Sequence, residues 1–92
     1  MGRVADSIRV KLMASLHPIR LDIVDESHRH AGHVGARPEG ESHFNVTIVS
    51  TEFAGQSRVA RQRAVYGILA AELKTDVHAL ALKTLTPEED AL

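Results

Sequence analysis

Two strand-like apolar segments flank an interval too long for a hairpin turn, and that interval constrains this chain more than any other feature. Leu21, Ile23 and Val24 precede it, and Phe44, Val46, Ile48 and Val49 follow it. The stretch from Asp25 to Phe44, DESHRHAGHVGARPEGESHF, carries His28, His30, His33, Gly32, Gly35, Pro38 and Gly40. Loops beyond roughly 12–15 residues are uncommon in a compact domain and usually either functional or disordered. Imidazole is also the side chain best suited to binding metals and moving protons near neutral pH. Function is therefore expected in or beside this loop.

The remaining pattern places the loop within a small α+β unit. Val4, Ile8, Leu12 and Leu16 recur every four residues, so residues 3–16 read as a helix with Arg3, Asp6, Arg9 and Lys11 off its apolar stripe. Pro18 ends it, because the residue before a proline is pushed out of helical geometry. His17 at that boundary reads as a cation near a helix C-terminus. Residues 19–26 form a first strand. Phe44, Val46 and Ile48, alternating with Asn45 and Thr47, form a second, paired antiparallel with the first. Residues 50–56 connect to a second helix over 58–73, capped by Ser57, with Val65, Ile68, Leu69 and Leu73 as its stripe. A third strand over 77–85 is apolar on both faces at its start, as expected of a strand covered by helices. Thr86-Pro87-Glu88-Glu89 opens a short last helix. The order is α-β-β-α-β-(α), with the second and third strands parallel through a right-handed crossover. That order predicts a three-stranded mixed sheet with helices on one face. Ninety-two residues supply one core, so residues 1–92 are read as a single domain.

Composition removes several function classes. With no cysteine there is no disulfide, no zinc ribbon and no nucleophilic thiol. No apolar run approaches the roughly 18–20 residues that cross a bilayer, and MGRVADSIRVKL lacks the continuous apolar centre of a secretory signal. A cytoplasmic protein is expected. The formal net charge of −1 argues against broad phosphate neutralisation, although a local basic face is compatible with it. No GxSxG elbow, Walker loop or GxGxxG occurs, and Asp25, Glu26, Ser27 and His28 lie too close in sequence for a catalytic triad. A non-enzymatic role is expected.

Two groups of residues carry chemistry. His28, His30 and His33 have spacings that can hold zinc, copper, iron or nickel, or can simply make a polar loop. His78 is a polar residue opening an apolar strand. Because the second and third strands run parallel, Phe44 and His78 fall on one edge of the sheet, and the loop empties onto that edge. The second group is Arg58, Arg61 and Arg63 in the first turns of the second helix, where the helix dipole disfavours cations. These face either solvent or an anionic partner.

The residues Asp25-Glu26-Ser27, Arg29-His30, Glu41-Ser42-His43-Phe44, Val49-Ser50, Phe53-x-Gly55-x-Ser57, Arg61-Gln62-Arg63, Val65-Tyr66, Glu72-Leu73, Val77-His78-Ala79-Leu80 and Thr86-Pro87-Glu88 closely resemble the BolA family, in order and spacing, over nearly the whole chain. The resemblance implies a domain similar to the class II KH fold. It also implies partnership with a monothiol glutaredoxin carrying a CGFS site, with a [2Fe–2S] cluster shared between the two proteins and glutathione, none being held tightly by the isolated chain. By position, His78 is the strand ligand. The loop ligand is His30, which follows Arg29, with His33 as the alternative in this longer loop. Imidazole in place of thiolate raises cluster potential and makes ligation sensitive to protons. As an alternative, the resemblance implies DNA contacts through the second helix and the loop before it, at Gly55, Ser57, Arg58, Arg61 and Arg63, though with no stacking aromatics in that cluster; the other reading of the same arginines is a face that docks glutaredoxin. Alone, the protein is expected to be a monomer or a weak homodimer that does not engage membranes.

Overall fold

A computed structural model describes residues 2–26 and 42–92. Their elements are α1 (Arg3–Leu16), β1 (Arg20–Asp25), β2 (His43–Val49), a 3-10 turn (Thr51–Phe53), α2 (Arg58–Ile68), α3 (Ala70–Lys74), β3 (Ala79–Leu85) and α4 (Pro87–Asp90). β2 is central in a three-stranded mixed sheet of order β1-β2-β3. It pairs antiparallel with β1, Arg20 opposite Val49 and Asp25 opposite Phe44. It pairs parallel with β3, His43 opposite Ala79 and Val49 opposite Leu85.

The core follows from two periodicities. On α1, Val4, Ile8, Leu12 and Leu16 are buried, and on β2 alternate residues Phe44, Val46 and Ile48 are buried beneath them. Phe53, Val65, Leu69 and Val77 complete the cluster, and Leu21, Ile23, Leu80 and Leu82 pack against it half-buried. Ser50 closes one end: its hydroxyl donates to the Leu16 carbonyl at 2.6 Å and accepts from the Glu52 N–H at 3.1 Å. A helix C-terminus leaves carbonyls without partners inside the helix, and this serine satisfies one while joining α1 to the end of β2. His17 leaves the helix at φ 47°, ψ 53°, the left-handed cap geometry usually given to glycine.

Two expectations are corrected. The helix expected over 58–73 is two segments, because Leu69 departs from helical geometry at φ −100°, ψ 19°. Gly67, a poor helix former by about 1 kcal/mol relative to alanine, lies just before the break. The apolar spacing survives because the Leu69 N–H still bonds the Val65 carbonyl at 3.0 Å. The third strand starts at Ala79 rather than Val77, and it is not covered on both faces. Ala79, Ala81 and Lys83 are exposed while Leu80, Leu82 and Thr84 turn to the helices. Alanine resembled a core residue in the sequence, yet here it is a small side chain on an open sheet face.

Polar contacts tie the helices together. Glu72 accepts from the Ser7 hydroxyl at 2.6 Å and from the Lys11 ammonium at 2.8 Å, joining α3 to α1. Burial works to raise its pKa, but the bonds from Lys11 and Ser7 prevail and leave it lowered. At the other end, Arg61 on α2 donates to both carboxylate oxygens of Glu89, at 2.7 and 3.3 Å. Glu89 completes a capping box with Thr86 at the start of α4, accepting the Thr86 N–H at 2.8 Å and returning its own N–H to the Thr86 hydroxyl at 3.2 Å.

The Arg61 hydrogen bond, with the Thr86 N–H adding to it, holds Glu89 at a pKa of about 2, against 4.5 for a free glutamate. A carboxylate whose folded pKa lies below its unfolded value stabilises the fold above the unfolded value and ceases to do so as pH falls through the folded one. Urea midpoints should therefore fall between pH 4.5 and about 2, and more shallowly in Glu89→Gln than in the native chain. Parallel profiles for the two proteins would show that Glu89 contributes nothing to acid sensitivity.

Candidate functional site

One rim of the sheet collects the chemistry. β1 ends at Asp25, and the Glu26 N–H bonds the His43 carbonyl at 2.8 Å, so the chain leaves toward residue 27 from beside the first residue of β2. At the start of β3, the Ser42 carbonyl accepts both the His78 N–H at 2.7 Å and the Ala79 N–H at 3.2 Å. The stems of the 27–41 segment and the entrance of β3 thus meet at one place, as the topology predicted.

His78 is exposed at this rim. Its ring lies beside that of His43, with centroids 6.3 Å apart and planes 27° from parallel. His43 is half-buried, and its Nδ1 lies 2.8 Å from the hydroxyl of the fully buried Ser42. A ring nitrogen bonded in this way fixes how the imidazole turns. An exposed imidazole such as that of His78 can accept a metal ion or a cluster iron through nitrogen. Among the described residues, no group of three or more His, Cys, Asp or Glu side chains is placed to hold a metal ion. A complete coordination sphere would need donors from elsewhere.

His28, His30 and His33 lie outside the described residues. His43 was not singled out as a site residue by the sequence reasoning. The signal was present: in parallel strands with Phe44 and His78 at one edge, the histidine preceding Phe44 must also be there. Its neighbours in the loop drew attention away from it.

The arginine group divides. Arg61 is 9% exposed; its Nε donates to the Gln56 carbonyl at 3.0 Å, its Nη1 to the Thr84 carbonyl at 3.1 Å, and its guanidinium lies 5.8 Å from the centre of the Phe53 ring. This side chain is turned inward and its charge is spent on Glu89 and two carbonyls. Arg58 and Arg63 are exposed. Ser57 caps α2, its hydroxyl accepting the Ala60 N–H at 3.1 Å. Gly55 is exposed with φ 78°, a conformation that favours glycine over any side chain. Two apolar residues accompany the free arginines on the exposed side of α2: Val59, 58% exposed, and Tyr66, 40% exposed. The chain's single tyrosine therefore gives this surface the aromatic group that the arginine cluster itself lacks.

The separation of the arginines is open to measurement. Arg61→Ala should lower unfolding free energy by about 2–3 kcal/mol through loss of charge-assisted bonds to buried carbonyls. Arg63→Ala should stay within about 0.5 kcal/mol of the native chain. Equal urea midpoints for the two variants would contradict this division.

Comparison with known proteins places the chain. A family model described as BolA-like protein matches residues 12–89. The DNA-binding transcriptional regulator BolA of Escherichia coli is 45% identical over 86 residues, covering 94% of this chain and 78% of that protein. Protein BOLA1, chloroplastic, of Arabidopsis thaliana is 47% identical over 87 residues, covering 92% of this chain but 54% of that protein, so the chain spans about half of that relative's length. The solved BolA domain of SufE1 from Arabidopsis thaliana superposes with a TM-score of 0.87 at 44% identity, over 97% of this chain and 98% of that one. Among the described residues no helix is long and apolar enough to cross a membrane.

Proposed function

We propose that this chain, which belongs to the BolA family, is a non-enzymatic adaptor that co-ligates or relays a [2Fe–2S] cluster with a monothiol glutaredoxin and glutathione. The single observation that carries the proposal is the exposed imidazole of His78 at the rim where the 27–41 segment begins and ends. Containing no cysteine, the chain has no thiolate to offer. A partner must bring the sulfur ligands, and the cluster is a shared cargo rather than a resident group. His78 would hold one iron position, with His30, or His33 in its place, completing the pair from the loop. Two imidazoles are too few to retain a cluster, so the isolated protein is expected to carry none.

The exposed side of α2 supports a protein partner. Arginine and aromatic side chains are enriched where proteins meet, and aliphatic ones fill the dry centre of such patches. Arg58, Val59, Arg63 and Tyr66 supply that mixture, beside Gly55 and the Ser57 cap. The same patch supports a second reading, a DNA-binding regulator acting through α2 and the turn before it, since Arg58 and Arg63 are two free cations beside a helix start. With Arg61 turned inward, however, only these two of the three arginines remain for phosphate.

Two measurements separate the readings. Purified protein should be colourless and gain visible absorbance only with a CGFS glutaredoxin, glutathione, iron and sulfide. His78→Ala should abolish that gain, and an unchanged spectrum would refute the ligand assignment. If DNA is the target, retardation should weaken steeply with salt. Removing Arg58 and Arg63 together should then reduce the slope of log K against log salt by about 2, near 0.9 per lost phosphate contact. No retardation at low salt would exclude this second reading.

A further inference from the structure

We infer that the outer edge of β3 pairs with the same edge of a second copy of this chain, antiparallel, with Leu80 of each copy opposite Leu82 of the other. β3 is an edge strand, since the sheet runs β1-β2-β3. Its Ala79 N–H bonds the Ser42 carbonyl at 3.2 Å, and its Leu85 carbonyl accepts the Ser50 N–H at 2.9 Å. Odd-numbered residues of β3 therefore turn their main-chain groups to β2, while Leu80, Leu82 and Thr84 turn theirs outward. Thr84 bears this out, because its carbonyl is taken by Arg61 Nη1 at 3.1 Å and not by β2. Among the described residues nothing bonds the outward N–H and C=O groups of Leu80 and Leu82.

The occupant follows from which registers satisfy those groups. With Leu80 opposite Leu82, each such pair exchanges two N–H···O=C bonds, and every outward group of both leucines is used. Ala81 then faces its own copy at the close, non-bonded position, which suits a small side chain. Exposed Ala79 lies opposite exposed Lys83. The neighbouring registers fail. Leu80 opposite itself directs Leu82 to His78, whose N–H already bonds Ser42. Leu82 opposite itself directs Leu80 to Thr84, whose carbonyl Arg61 holds. Leu82 opposite Thr84 sets Lys83 against Lys83, a destabilising like-charge pair. The other edge is guarded: β1 carries exposed Arg20 and Asp22, and charge on an edge strand discourages pairing. On β3, Ala79 and Ala81 give no such guard, and Lys83 alone among its residues is charged.

A ladder this short, held mainly by main-chain bonds, belongs with the weak interfaces below roughly 1,200 Å². It needs neither His78 nor glutaredoxin, so it and the cluster reading fail separately. Sedimentation equilibrium of the full chain from micromolar to millimolar concentration should show a reversible monomer–dimer equilibrium. Ala79→Lys, which sets lysines opposite each other twice across the two-fold axis, should weaken the dimer about tenfold. Adding Lys83→Glu to that variant should restore it, and Ala79→Glu alone should tighten it. The Leu80 and Leu82 amides should gain protection from hydrogen exchange as the dimer forms, and those of β1 should not. Circular dichroism verifies the fold of each variant, both positions being exposed. A chain still monomeric at millimolar concentration, a dimer indifferent to charge at position 79, or protection at β1 in place of β3 would overturn the proposal.

Discussion

The main-chain hydrogen bonds at the entrance to β3 fix everything placed around them. The Ser42 carbonyl accepts two successive N–H groups, from His78 and Ala79. That contact starts the parallel register and, with it, the lateral position of both rim histidines. Parallel strands need a long crossover, and α2 and α3 provide it while covering one face of the sheet. One register therefore determines the core, through Val46 beside Leu82, and the rim, through His43 beside Ala79. A slip of one residue would turn Phe44, Val46 and Ile48 to the open face, so the apolar packing enforces the geometry of the histidines.

The arginines of α2 show how one motif can serve two purposes. Three cations near a helix start are unfavourable for the helix dipole. For Arg61 the explanation is internal: the side chain crosses from α2 to the carbonyl of Thr84 and the carboxylate of Glu89, fastening α4 where β3 ends. Arg20 helps from the other side of the sheet, bonding Asp90 at 2.6 Å. Arg58 and Arg63 have no such inward role and remain with Val59 and Tyr66 as an outward surface.

Much of this was legible from spacing alone. Val4, Ile8, Leu12 and Leu16, with Pro18 marking the end, matched α1 over residues 3–16, because a stripe of that length with polar residues between is a helix face. Thr86-Pro87-Glu88-Glu89 announced α4, whose capping box requires those residue types at those places. Ala79 and Ala81 were ambiguous, since alanine is tolerated both in a core and on an open face, and hydropathy cannot choose between them. Arg61 was equally opaque: nothing local distinguishes it from Arg58 or Arg63, and its burial depends on Glu89, 28 positions away. The meeting of the 27–41 stems with His78 followed from strand order. The pairing of His78 with His43 required the register, which strand order does not supply.

The hydrogen bond from Glu26 to the His43 carbonyl closes the base of the segment between β1 and β2 on the ladder itself. Once such a base is clamped, chain added above it is nearly free: each doubling of a flexible connection costs only about 0.6 kcal/mol of closure entropy. Insertions and deletions between these two stems are thus large changes this domain can accommodate at little cost, with the sheet beneath staying as it is.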